Sequence, residues 1–154
     1  MGKEAPFDTA RAHRWFASAL NNMVWQWLED SKRDQSRTED MIHAAHASCH
    51  HWTEAGTAIH RARAEYLVAN VHAAAGNTDS GLRFAQRALT GLEAEPEGLS
   101  DWDLAFAADA MARVFAAAGS DEAQHWLEEA EMLGAKIADP EDKAIFDRWR
   151  SIKI

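Results

Sequence analysis

The sequence predicts an all-α fold, on three observations. Strand signals are nearly absent, because valines are few and no stretch alternates apolar and polar residues with a period of two. Long alanine-rich runs such as "VANVHAAAG" and "AFAADAMARVFAAAG" are strong helix formers. Glycines and polar turn residues cut the 154 residues into seven pieces of helical length.

The first helix is expected over 8–30, and the polar run "SKRDQSR" separates it from a second over 37–55. A third over 57–75, a fourth over 78–93, a fifth over 100–118 and a sixth over 121–134 follow. Gly56, Gly76 and Gly119 stand where left-handed caps end helices. Ser100, with Asp101 and Asp103 behind it, supplies a capping hydroxyl and favourable negative charge at the start of the fifth helix. Asp139 followed by Pro140 reads as an N-cap and a first-turn proline, opening a seventh helix over 140–153.

A chain of this length makes one domain, here 8–154. Its formal charge of −9 argues against nucleic acid and anionic membrane, which attract basic faces. Cys49 is the single cysteine, so no internal disulfide forms and a reducing, cytoplasmic setting is expected. "MGKEAPFDTA" has no apolar signal-peptide core, and Pro6 occupies the place where a myristoylation motif needs Ser or Thr. No segment reaches the roughly 18 to 20 apolar residues of a membrane helix.

Two stretches align with each other at a spacing of 43 residues, "AEYLVANVHAAAGNTDSGLRFAQRALTGL" from Ala64 and "AADAMARVFAAAGSDEAQHWLEEAEML" from Ala107. The first carries Val68, Ala69, Gly76, Asn77, Gly81, Leu82, Ala88 and Leu89; the second carries Met111, Ala112, Phe115, Gly119, Ala123, Leu127 and Ala130. Both resemble the tetratricopeptide repeat, although Glu65, His72 and Ala85 stand where that family usually has aromatic residues. The resemblance implies a right-handed array of about three antiparallel helical hairpins plus a C-terminal helix covering the exposed apolar end. It also implies a concave groove lined by the first helix of each hairpin. The matching positions are Arg63, Tyr66 and Asn70, then Phe106, Asp109 and Arg113, with Asn22, Trp25 and Glu29 from the first hairpin. Arginine forks hold carboxylates, Asn pairs with peptide backbone, and aromatic rings offer flat apolar area. The function so implied is a non-enzymatic interaction module for a peptide or protein segment, with a second copy of the chain as another compatible partner.

The stretch "MIHAAHASCHHW" raises a different reading. On a helix Met41, Ile42, Ala45, Ser48, Cys49 and Trp52 share a core-facing side, while Glu39, His43, His46, His50 and Glu54 form a polar ridge opposite. His46 and His50 at i and i+4, joined by His43 or by His72 from the neighbouring helix, could hold one divalent transition metal ion, which would make the chain a small metal-binding protein or a metal-dependent enzyme. His43 and His50 are about 10.5 Å apart along the axis, so one ion takes at most two ligands from this ridge. The other reading of the ridge is a solvated surface, and His72 is expected to pack internally.

Elsewhere the residues speak against catalysis. Cys49 belongs to the apolar side and reads as an inert small hydrophobe. No phosphate-binding glycine loop, nucleophile elbow or dinucleotide fingerprint occurs. The carboxylate runs around Glu95 and Glu129 read as solvated faces. Seven tryptophans are expected to act mostly as packing knobs, although a short array so rich in them could also curl around a small molecule.

Overall fold

A computed structural model describes residues 4–154. The myristoylation position Gly2 therefore lies outside the described residues. The described residues form seven α-helices: α1 (Thr9–Glu29), α2 (Gln35–Ala55), α3 (Ala58–Ala74), α4 (Thr78–Glu93), α5 (Asp103–Ala117), α6 (Glu122–Gly134) and α7 (Pro140–Ser151). One 3-10 turn, Pro96–Gly98, lies between α4 and α5, and no strand occurs among the described residues. None of these helices is long and apolar enough to cross a membrane.

Local chemistry explains the breaks. Asp8, Asp34, Thr57 and Asp139 each accept a backbone N–H of the following turn, which satisfies donors that a helix start leaves open. Asp34 starts α2 two residues earlier than the sequence suggested. Gly76 and Gly119 have φ of 77° and 67°, the left-handed conformation expected of them. Gly56 does not: its φ is −105°, and α2 ends there in extended backbone. Ser100 is a second correction. Its hydroxyl caps nothing, because α5 starts at Asp103, whose own carboxylate accepts from the Ser100 N–H at 2.8 Å.

The helices pack as three hairpins, α1 on α2, α3 on α4 and α5 on α6, with α3 also touching α1, α2 and α5. Small residues permit this closeness. Ala62, Ala64, Ala69 and Ala73 of α3 and Ala105, Ala107, Ala108 and Ala110 of α5 are all buried. As the central helix, α3 is covered on nearly every side, so even Glu65, Asn70 and His72 are buried. In α2 the core side is Met41, Ala44, Ala45 and Ser48, with Ile42 and Cys49 half-covered and the Ser48 hydroxyl donating to the Ala17 carbonyl at 2.8 Å.

The last helix departs most from expectation. Its first half does cover α5 and α6, where Phe146 is fully buried against Ala105, Ala108 and Ala130. Burying such a ring stabilises by roughly 1.5 to 3 kcal/mol. Gly134 makes the seat, since a Cβ there would overlap the Phe146 ring. The second half runs on toward α1, placing Trp149 among Val24, Leu28, Val68 and Val71 and its ring 4.7 Å from that of Trp25. Rather than only closing one end, α7 lies over the side of the stack formed by α1, α3 and α5.

Candidate functional site

The contacts that seat α7 come from two residues predicted for the groove. Asp109, 3% exposed, accepts from the Trp149 indole Nε1 at 2.8 Å and from Arg113 Nε at 2.7 Å. Arg113 then donates to the backbone carbonyls of Trp149 and Ile152, each at 2.8 Å, and lies 4.1 Å over the Trp149 ring. The Trp149 carbonyl also accepts from the Ile152 N–H at 3.0 Å, so the guanidinium and that N–H together cap the C-terminal end of α7. Arg148 adds an ion pair to Glu29 at 3.0 Å, tying α7 to α1.

Where α7 crosses, it roofs a cavity of about 430 Å³. Trp25, Tyr66, Phe106 and Trp149 line it from α1, α3, α5 and α7, and Trp102 and Trp52 add two further rings. Tyr66 and Trp149 are buried and lie deepest, whereas the exposed Ile145 and Arg148 mark the mouth. The rings form one cluster: Trp25 meets Tyr66, Phe106 and Trp149 edge to face, and Tyr66 stacks on Phe106 with an interplanar angle of 15°. On the other wall Trp52 stacks on His60, with centroids 4.5 Å apart.

The charges at the pocket are mostly committed. Arg63 forks onto the fully buried Asp103 at 2.7 and 2.8 Å, reaches Ser100 Oγ at 3.3 Å, and sits 4.3 Å over the Trp102 ring. Its hydrogen bond to Asp103 raises its pKa above the ordinary guanidinium value. Burial pushes the Tyr66 phenol well above its usual range, and the nearby Asp103 charge adds to this. Burial, with help from Arg63 and Arg14, lowers the His60 imidazole and favours its neutral form. Neutral His60 suits its local role, since its Nδ1 accepts from the Thr57 N–H at 3.1 Å.

Of the residues predicted for a binding groove, Trp25, Arg63, Tyr66 and Phe106 meet at this pocket, and Glu29 is at its edge. Three do not offer themselves to a groove ligand. Asp109 and Arg113 are spent on α7. Asn70 is 0% exposed, and neither its amide oxygen nor its nitrogen has a partner. Asn22 is exposed and off the pocket; its neighbour Asn21 lines it instead, because one residue of helix turns the side chain by about 100°. Trp52 is also corrected. It was placed on the core side of α2, yet it is only half-buried and faces the pocket. Among the seven tryptophans only Trp149 is buried, and four of them line this one cavity, so packing alone does not describe them. Trp102 and Ile145 were missed, because nothing in the sequence around either of them marks a shared destination.

The histidine ridge splits in two. His46 Nε2 lies 2.9 Å from His72 Nε2, and the His46 ring is 5.2 Å from Phe84, on which His72 stacks. His50 turns instead toward His13 and His51, whose Nδ1 atoms are 2.7 Å apart, and His43 is exposed. The predicted ligand pair His46 and His50 is thus divided between two neighbourhoods, because each i to i+4 step also advances about 6 Å along the axis past different partners. No group of three or more His, Cys, Asp or Glu with metal-holding geometry occurs among the described residues. The donor set does not fit a tetrahedral ion, which needs a third and fourth ligand beside His46 and His72. What the pair does form is a short hydrogen-bonded chain with Asn77. The Asn77 amide Nδ2 donates to His72 Nδ1 at 3.4 Å, so His72 carries its proton on Nε2 and donates to His46. Burial lowers His72 to about 4, with His46 and Arg83 contributing, and burial likewise lowers His46.

Cys49 is half-buried, and burial, aided by Glu65, raises its thiol above the usual value. That is the protonated, unreactive form.

Compared with known proteins, the chain matches no family model, no curated protein and no solved structure.

Proposed function

We propose that this chain is a small binding protein, a tetratricopeptide-like array of three hairpins whose last helix folds back to roof a pocket for a small organic molecule. The observation that carries the reading is the convergence of six aromatic side chains, from α1, α2, α3, α5, α7 and the approach to α5, on one cavity of about 430 Å³. Ligand cavities are commonly about 300 to 1,000 Å³, mostly apolar, with a few placed polar groups. Binding rather than chemistry suits this lining, since Arg63, Glu29 and Arg148 are already held in ion pairs. The test uses Ile145, which is 52% exposed at the mouth. Ile145→Trp should plug the opening without touching the core. Fragment screening by ligand-observed NMR should find aromatic or compact apolar binders to the natural chain and none to the variant. Equal binding to both would remove the pocket from the proposal.

The reading that the repeat resemblance implies, a peptide laid along α1, α3 and α5, draws support from Asn70. Its unpaired amide would gain partners from an extended backbone. It requires α7 to withdraw. Hydrogen exchange separates the two readings, because a pocket ligand would protect the amides of α7, whereas a groove peptide would expose them.

A further inference from the structure

The lining of the pocket carries information about ligand charge, and the inference drawn from it rests on the pocket reading above. An aromatic face attracts cations through its ring quadrupole, within about 6 Å of the centroid. This molecule already uses that attraction on both sides of the site: Arg63 lies 4.3 Å over Trp102, and Arg113 lies 4.1 Å over Trp149. Both guanidiniums are neutralised where they sit, by Asp103 and Asp109 respectively. At the mouth Arg148 is matched by Glu29. Among the described residues one lining charge has no ion-pair partner, the carboxylate of Asp142 in the first turn of α7. The site thus combines aromatic walls, an uncompensated negative charge at the rim and a whole-chain charge of −9 that draws cations toward it.

We infer that the ligand is an organic cation, a compact quaternary ammonium whose methyl groups lie against Trp25, Phe106 and Trp52 on the side of the pocket that faces Asp142. An anionic ligand would have to face Asp142 and compete with Asp103 for Arg63. A neutral one would leave the rim charge unused.

Three probes of one shape decide the matter: choline, the uncharged 3,3-dimethylbutan-1-ol and the anionic 3,3-dimethylbutanoate. Each is titrated into the full chain while the tryptophan indole N–H signals are followed by NMR. Choline should give saturable shifts at Trp25, Trp52 and Trp102 with affinity about tenfold above that of the alcohol. The butanoate should leave them unmoved. Asp142→Asn should weaken choline by about threefold or more and leave the alcohol unaffected. An unchanged spectrum at Trp126, which lies off the pocket, checks that this variant is folded. If the alcohol binds as well as choline, or Asp142→Asn binds choline equally, the charge assignment is overturned while the pocket stands. A tighter butanoate overturns it in favour of an anion on Arg63 or Arg148. If no probe moves the signals, the cation proposal fails, and the Ile145→Trp comparison then decides separately whether any ligand enters.

Discussion

Replacing Asp109 by Ala tests how α7 is held. Its carboxylate is 3% exposed and accepts from both Arg113 Nε and the Trp149 indole. Removing one partner of a buried ion pair costs roughly 3 to 5 kcal/mol, because the other charge stays buried without compensation. Two features pull in opposite directions here. Arg113 keeps two carbonyl acceptors on α7, which moderates the loss. The Trp149 N–H loses its acceptor, which adds about 1 kcal/mol or more. The expected net loss is about 3 kcal/mol. With a urea m-value of about 2 kcal/mol/M, the unfolding midpoint should fall by about 1.5 M, read by tryptophan fluorescence. Trp149→Phe loses the N–H bond together with part of the buried indole, so about 2 kcal/mol or more is expected of it. The double variant should lose less than the sum of the two, since both act on one network. A loss below 1 kcal/mol for Asp109→Ala, or strict additivity, would refute the idea that this residue holds α7.

His72 takes its proton only below about pH 4 when folded, whereas the unfolded chain takes it below about 6.5, so unfolding binds a proton between these values and stability falls as pH drops through that window. The loss from this group is roughly 3 kcal/mol at most, complete near pH 4, and denaturation at pH 7 and 5 should show a smaller difference in His72→Leu. Gly134→Ala forces a methyl into the Phe146 ring and should cost about 1 to 3 kcal/mol by thermal unfolding, with a neutral result excluding the close seat described. Asn70→Leu removes two buried polar atoms that lack partners and should stabilise the chain by about 1 kcal/mol; destabilisation would show that the amide has a role in the closed form.

The helices were legible because their punctuation is local. A capping carboxylate at Asp139 or a left-handed glycine at Gly76 acts on residues within one turn, so four or five letters carry the whole cause. The path of α7 was not legible. Trp149 packs on Trp25, and Arg148 pairs with Glu29 across 119 residues, contacts that no periodicity within "EDKAIFDRWRSI" encodes. The site shows the same division. Arg63, Tyr66 and Phe106 were named because the repeat resemblance puts its groove positions there, whereas Asp109 and Arg113 were named on the same grounds and serve the chain itself. Face and residue type identify a surface; they leave open whether the chain's own end reaches it first. The histidines fail for a related reason, since spacing along α2 says nothing of which neighbour each ring meets.

Stacked hairpins ordinarily behave as a line, in which each unit feels only its neighbours and an end can loosen alone. The clasp from α7 to α1 joins the two ends of that line through Trp25 and Trp149. A disturbance in the first hairpin is therefore felt at α7, which couples α1 to α5 and α6. During synthesis α7 follows the hairpins, so the aromatic side of α1, α3 and α5 emerges bare and is covered only once α7 has been made.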